Sequence, residues 1–469
     1  MSSGSMSSGS TSSGARTIAQ GAREASRVIA TLDEDRRNAV LETIATALES
    51  ASAALFAANA VDMERAAARS GEDALPPSTL SRLKLTDGKL REMVEQVRSL
   101  RALPDPLGRR LDAIELDDSD PAASENARAR ESQAGLHLEK ISVPLGVLAV
   151  IFEARPDAVT QIASLAVKSG NAVILKPGRE VENTANALVK VLQAALVLEG
   201  LPAHAISLVI GREEVAELLA LHDLIDMVIP RGSKALVEYV QANTRIPVLG
   251  HSEGICHIYV DRVADEAMAL RVIQDAKLDY PAACNAVETV LVHQEIAKEF
   301  VPKLIEQLRA RNILVHADSQ VKALLGDTQR NEVEPVADWH TEYGEPELAV
   351  GIVDSLDAAI HHIHTHGSAH TESILTEDAD AAERFLREVD AAGVFHNAST
   401  RFADGFRYGF GAEVGISTSK LHARGPVGLE GLTTYKYVLR GHGHIAGDYR
   451  GANARSFTHR RASNSEEQR

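Results

Sequence analysis

The sequence predicts an α/β protein built on parallel sheets, and two observations carry that prediction. From Val143 onward, apolar runs of strand length alternate with helical segments. The runs are predominantly apolar, as strands are when helices cover both faces of their sheet. Ligands of such sheets bind at the carboxyl ends of the strands.

The elements follow in order. Residues 16–70 read as helix, with Ile18, Val28, Ile29, Val40, Leu41, Ile44 and Leu48 spaced to line one face. Leu80 to Leu100 is a second amphipathic stretch. Pro104 to Glu131 is rich in Asp, Pro, Ala and Arg and reads as a linker or an excursion. GVLAVIF then reads as strand and PDAVTQIASLAVKSG as helix, with Pro156 in its first turn and Gly170 at its stop. Strands follow at 171–177, 205–210 and 225–232, separated by helices at 182–200 and 212–223 and followed by one at 233–244. A second alternation begins at ICHIYVD (255–261). Its strands are 287–293, 348–355 and 373–377, with helices at 265–277, 298–312, 358–367 and 382–389. The last region, from Gly409 through Leu439, holds strand-like segments separated by glycines.

The 469 residues correspond to roughly three domains at about 150 residues each. Hydrophobic residues are 44% and charged residues 25%, which excludes a largely disordered or fibrous chain. With 49 basic and 66 acidic residues the net charge is −17, which argues against a broad nucleic-acid surface. No stretch approaches the roughly 18 apolar residues of a membrane-spanning helix. The start, MSSGSMSSGSTSSG, has no apolar core and reads as a flexible tail, and RRASNSEEQR reads as another.

Two cysteines in this length make no disulfide framework, so a reducing compartment is expected. Cys256 lies inside a strand and reads as core. Cys284 lies in a loop among Ala282, Ala283 and Ala286, where a substrate carbon has room; nucleophile and bystander remain open at this point. No GxGxxG or GxxxxGK[ST] follows a strand. LKPG (175–178) and PRGSK (230–234) are strand-to-helix turns that offer Lys176, Arg231, Ser233 and backbone N–H groups. His362, His366 and His370 are spaced four apart, but Gly367 and Ser368 are expected to end the helix before His370. No set with zinc spacing emerges, and no metal is expected.

These segments resemble gamma-glutamyl phosphate reductases, also called glutamate-5-semialdehyde dehydrogenases, of the aldehyde dehydrogenase superfamily. VPLGVLAVIFEARPDAV, NAVILKPGRE, DYPAACNAVETVLVH, FHNASTRFADG and GAEVGISTSKLHARGPVGLEGLTTYKY look like that family's blocks, in its order. Within VDSLDAAIHHIHTHGSAHTESI (353–374), Val353, Ala359, Ile360, His362, Ile363, His366, Gly367, Ser368, His370, Thr371, Glu372 and Ile374 match its signature.

The resemblance implies an aldehyde-dehydrogenase-like fold. A Rossmann-type NADPH domain would span 16–120 and 142–262, and an α/β catalytic domain 263–410. A small β oligomerisation element would comprise 121–141 and 411–452, with tails at 1–15 and 453–469. It implies NADPH-dependent reduction of L-glutamyl 5-phosphate in proline biosynthesis, with Cys284 as nucleophile and Arg155 beside the acyl phosphate. Lys176, Arg231, Gly232, Ser233 and Glu342 would hold the cofactor. Asn397, Ser399, Thr400 and Arg401 would hold the amino and carboxylate ends of the substrate. A cytoplasmic homo-oligomer, dimer or tetramer, acting on a small molecule and needing neither nucleic acid nor membrane, is expected.

Oxidising relatives use a glutamate in an E-L-G-G segment to activate water. The corresponding stretch here reads LGHSEG, and Glu253 does not align cleanly with that base. This weighs against the alternative, an NAD(P)-dependent oxidising aldehyde dehydrogenase. A thiol acyltransferase built on Cys284 and a metal-binding protein built on the 361–370 histidines are the rivals of other classes.

Overall fold

Capping divides the helical N-terminal region. The structure, a computed structural model, describes residues 14–71, 75–117, 135–211, 213–441, 443–452 and 454–461. The stretch read as one helix is three: Gly14–Ile29, Glu34–Ser50 and Ser52–Ala67. Asp33 starts the second by accepting the Arg36 N–H with its side chain. Thr86 does the same for Lys89, splitting the next stretch into Pro77–Leu83 and Asp87–Ser99.

The cofactor-type sheet comprises β3 (Val147–Phe152), β4 (Ala172–Pro177), β5 (Ile206–Leu208) and β6 (Met227–Arg231), all parallel, in the order β5-β4-β3-β6. Every residue of β3 is buried because both its faces are covered. Leu148, Val150 and Phe152 pack into a core with Leu41, Ile44, Val94, Ile162 and Leu188. Val147, Ala149 and Ile151 point the other way, onto Ala15, Ala19, Leu218 and Val240. The period-2 alternation of a strand thus joins two helical layers through one sheet.

The second sheet is also parallel, in the order β10-β9-β11-β8-β7-β12-β13. It contains β7 (Cys256–Val260), β8 (Val287–His293), β9 (Leu314–Ala317), β10 (Glu334–Pro335), β11 (Glu347–Val353), β12 (Thr371–Leu375) and β13 (Gly393–His396). Ile258 and Val260 face Val290, Ile273 and Leu304 on one side. Tyr259 faces Leu291, Ile374, Ile363 and Phe385 on the other. β9, β10 and β13 are short strands with no distinct signal in the sequence; they add to edges already formed by longer ones.

A third, antiparallel sheet has the order β16-β2-β1-β17, from β1 (Arg110–Glu115), β2 (His137–Pro144), β16 (Thr433–Arg440) and β17 (Arg460–Arg461). Two expectations change here. Residues 110–115, read as the end of the cofactor domain, pair instead with 137–141 of the outlying sheet. Arg460 and Arg461, read as tail, lie along β1, and Thr458 donates its N–H to Leu116 O. Both errors arise because a strand paired outside a core carries little apolar periodicity. Residues 121–134 of the expected oligomerisation element lie outside the described residues, as do most of the two tails. A short pair, β14 (Ile416–Ser417) and β15 (Gly425–Pro426), completes the strands. Among the described residues no single helix is long and apolar enough to cross a membrane.

Candidate active site

Cys284 sits in the loop between helix Glu266–Leu278 and β8. Ala283 donates to Tyr280 O and Ala286 donates to Ala283 O, so two consecutive turns present the thiol. Asn285 anchors the loop by donating to Ala403 O at 2.8 Å. Gly254 packs directly against the Cys284 backbone, and a Cβ there would fall far inside 3.0 Å of its carbonyl oxygen, carbonyl carbon and Cα. The half-buried Cys284 thiol is pushed up to about 12 by burial, then by Glu342 and Glu413; Arg401 acts in the opposite sense. Cys256, fully buried, donates its S–H to Cys284 O and is shifted well above its ordinary value by the same desolvation. Its reading as core stands, and both thiols are free.

Two histidines share the sulfur's surroundings. One ligand-type atom each from His251, Cys284 and His370 lie within 4.8 Å of one another. His251 Nδ1 is 2.9 Å from Ile416 O. A carbonyl only accepts, so this nitrogen carries the proton and Nε2 keeps a lone pair. Burial lowers the His251 imidazole and pushes His370 down to about 3, so both are neutral at physiological pH. The two rings meet edge-on with centroids 5.2 Å apart.

The histidines of the 353–374 segment therefore part company. Helix Leu356–His366 ends as expected, with Gly367 as its cap. His362 and His366 stay on it, 4.6 Å apart by ring centroid, against Trp339, His340 and His257. His370, beyond the helix, turns to Cys284 instead.

The carboxyl ends of the cofactor-type sheet are level, since Phe152 is in register with both Pro177 and Arg231. Lys176 lies one residue before the end of β4, its ammonium lowered by burial while Glu180 pulls the other way. Ser233 precedes helix Lys234–Asn243, and its N–H donates to Glu153 Oε2 at 2.9 Å. Gly232 lies against the same carboxylate.

Arg231, expected at the cofactor, is half-buried and electrostatically coupled to Cys284, Arg155 and Glu413. Burial first, then Arg155, lowers it, and Glu413 opposes them. Its principal charged neighbours are therefore Arg155 and Glu413. Arg155 is exposed at the start of helix Pro156–Lys168. Glu342 is exposed and acts on Cys284, His251 and Lys234. Glu253 is tied to Lys234 in an ion pair.

The 397–401 segment divides in two. Asn397 adopts φ 51°, accepts the Thr376 N–H and donates to Thr376 O, so its amide is spent on a turn. Ser399 accepts the Arg401 N–H, and the Thr400 hydroxyl is buried without a hydrogen-bond partner among the described residues. Arg401 reaches the thiol's field but is held by Asp279, which accepts from its Nε at 3.0 Å and from Arg407 at 2.8 Å. Sequence reasoning missed His251, Glu413 and Asp279. Each is a single polar residue in a loop or at a helix end, without periodicity or motif to mark it.

Comparison with known proteins finds relatives over most of the chain. A family model described as "Aldehyde dehydrogenase family" matches residues 5–344. The gamma-glutamyl phosphate reductase of Synechococcus sp. (strain JA-3-3Ab) is 52% identical over 442 residues, covering 94% of this chain and 93% of the relative. Gamma-glutamyl phosphate reductase 1 of Synechocystis sp. is 49% identical, covering 94% and 97%. The crystal structure of the Thermotoga maritima gamma-glutamyl phosphate reductase superposes with a TM-score of 0.84 at 36% identity, covering 92% of this chain and all of that one. Glyceraldehyde-3-phosphate dehydrogenase GapN from Methanocaldococcus jannaschii, solved with NADP, shares the fold at 14% identity and a TM-score of 0.60, covering 91% and 94%.

Proposed function

We propose that this chain, which belongs to the aldehyde dehydrogenase family and within it to the gamma-glutamyl phosphate reductases, reduces L-glutamyl 5-phosphate to glutamate 5-semialdehyde through a thioester on Cys284. The sulfur attacks the acyl carbon, the S–C bond forms, and the C–O bond to phosphate breaks. The thiol proton passes to the free lone pair of His251. Transfer is needed because burial keeps the thiol protonated at neutral pH. Arg155 and Arg231 offset the negative charge of the acyl phosphate and of the departing phosphate. The Cys284 backbone N–H is a donor for the oxyanion that develops in each step. A nicotinamide cofactor, when bound, supplies the hydride that discharges the thioester. The resulting hemithioacetal releases the aldehyde and returns Cys284 as thiolate.

The observation that carries reduction over oxidation is the pairing of Glu253 with Lys234. It leaves Glu253, the water-activating base that the LGHSEG stretch would offer, engaged. Hydride discharge of a thioester needs no such base.

The level strand ends fit a dinucleotide. Lys176 is the cation suited to a ribose phosphate, which favours NADPH over NADH. The Ser233 N–H suits a diphosphate once the Glu153 carboxylate is displaced from it. Glu342 remains our choice at the nicotinamide ribose, and Ser399, Thr400 and Arg401 at the glutamyl carboxylate. Tyr435, Tyr437 and Leu439 alternate along one exposed face of β16, which supports association of subunits through this sheet. Two free thiols support a cytoplasmic location.

The test is the reverse assay with pyrroline-5-carboxylate and NADP. Reduction of NADP should require inorganic phosphate, and Cys284→Ala should abolish it. Phosphate-independent reduction, or near-normal activity in the variant, would overturn the reading.

A further inference from the structure

We propose that Cys284, His251 and His370 form a three-ligand zinc site that occupies the nucleophilic sulfur and holds the enzyme inactive. The three side chains come from separate segments, yet each places a ligand-type atom within 4.8 Å of the other two. Zinc bonds of about 2.0 Å to nitrogen and about 2.3 Å to sulfur bring tetrahedral ligand atoms to roughly 3.3–3.6 Å apart. The cluster needs only a contraction of about an ångström to reach that geometry.

A second observation points to a ligand. His370 is 1% exposed, its Nδ1 is taken by the Thr371 hydroxyl at 2.8 Å, and its Nε2 is buried with no hydrogen-bond partner among the described residues. A buried polar atom of this kind is costly unless something fills the role. His251 is already oriented through Ile416 O, the outer contact that metal-bound imidazoles commonly make. His251 and Cys284 are half-buried, which leaves a way in and a fourth position for water.

One thiolate with two imidazoles selects zinc over magnesium or calcium, which prefer oxygen ligands. On binding, the thiol proton passes to solvent and the sulfur becomes a metal ligand. The inhibitory meaning rests on Cys284 being the nucleophile, but the binding does not.

Zinc alone, with no substrate or cofactor, is titrated into the full chain against a chromogenic chelator. One ion per chain is expected. His251→Gln and His370→Gln should each weaken it by at least about tenfold, and Cys284→Ser should do the same. Zinc, but not magnesium, should protect Cys284 from iodoacetamide and raise the melting temperature of the parent chain. The rise should vanish in those variants that still melt cooperatively. Absence of a one-per-chain zinc in the parent, or parent-like affinity in both histidine variants, would overturn the proposal. Activity in Cys284→Ala would instead overturn the reductase reading and leave the zinc measurement standing.

Discussion

Gly254 and Cys284 are packed backbone against backbone so closely that a methyl group on Gly254 would fall far inside 3.0 Å of the Cys284 carbonyl oxygen. The floor under the thiol is thus a glycine for lack of space, not for backbone freedom. Gly254→Ala must move the 279–286 loop, because main-chain atoms cannot swing aside as a flexible side chain does. A displacement of about an ångström at a reacting atom costs on the order of 100-fold in rate. We expect kcat to fall by roughly that factor, and the melting temperature to fall as well, since overpacking of this kind costs about 1–3 kcal/mol. Unchanged kcat would show that the loop position does not set the sulfur's geometry.

The free enzyme should show a slow, steeply pH-dependent thiol. With Cys284 pushed up to about 12, the thiolate fraction grows about tenfold per pH unit throughout pH 7–10. Iodoacetamide modification of Cys284, followed by peptide mass, should rise with that slope. A plateau near pH 9 would contradict the raised value.

Arg155 is exposed, so its removal should spare the fold. In the reverse assay, Arg155→Ala should raise the KM for phosphate about tenfold, the worth of roughly one charge-assisted hydrogen bond. An unchanged phosphate KM would take Arg155 out of the site.

Lys176 tests cofactor choice. Lys176→Ala should raise the KM for NADPH about tenfold and leave that for NADH within about twofold, since only NADPH carries the extra phosphate. Equal losses with both cofactors would place the lysine at a group they share.

Lys277 and Glu288 form an ion pair at 2.8 Å with both side chains fully buried. Desolvation raises the Glu288 carboxyl to about 7, with Lys277 opposing it. A carboxyl raised on folding favours the folded state fully below its unfolded value of 4.5, and that contribution is lost as pH rises through 7. Lys277→Met leaves the carboxylate uncompensated, at a cost of about 3–5 kcal/mol at pH 8. At pH 5 Glu288 is protonated in the variant and the cost shrinks. Urea unfolding at the two pH values measures the difference, and equal losses would exclude this account.

Much of the architecture is legible in the residues. β3 is apolar throughout and β4, β7 and β8 are largely buried because both faces of their sheets are covered, and Pro156 marks its helix start where the sequence indicates. β1 and β17 are not legible, since strands of an outlying sheet need no apolar face. The site is legible in part. Cys284 stands out by its loop of small residues, and the role proposed for it comes from the family blocks. Arg231 illustrates the opposite case. Its place at a strand end reads as a phosphate turn, whereas its burial and its charged neighbours Arg155 and Glu413 are set by the fold. Asn397 reads as a donor and is consumed by Thr376.

The sequence by itself determined the alternation of strands and helices, their caps, and which thiol lies in a strand and which in a loop. Those properties follow from local periodicity and from the hydrogen-bonding habits of single residues. The tertiary structure decided which of eighteen histidines meet Cys284. His251 and His370 stand far from it along the chain, and one of them lies four residues past His366, which faces elsewhere. Such meetings depend on how parallel strands stack and where each helix stops, and burial then sets the charge state of every group brought together.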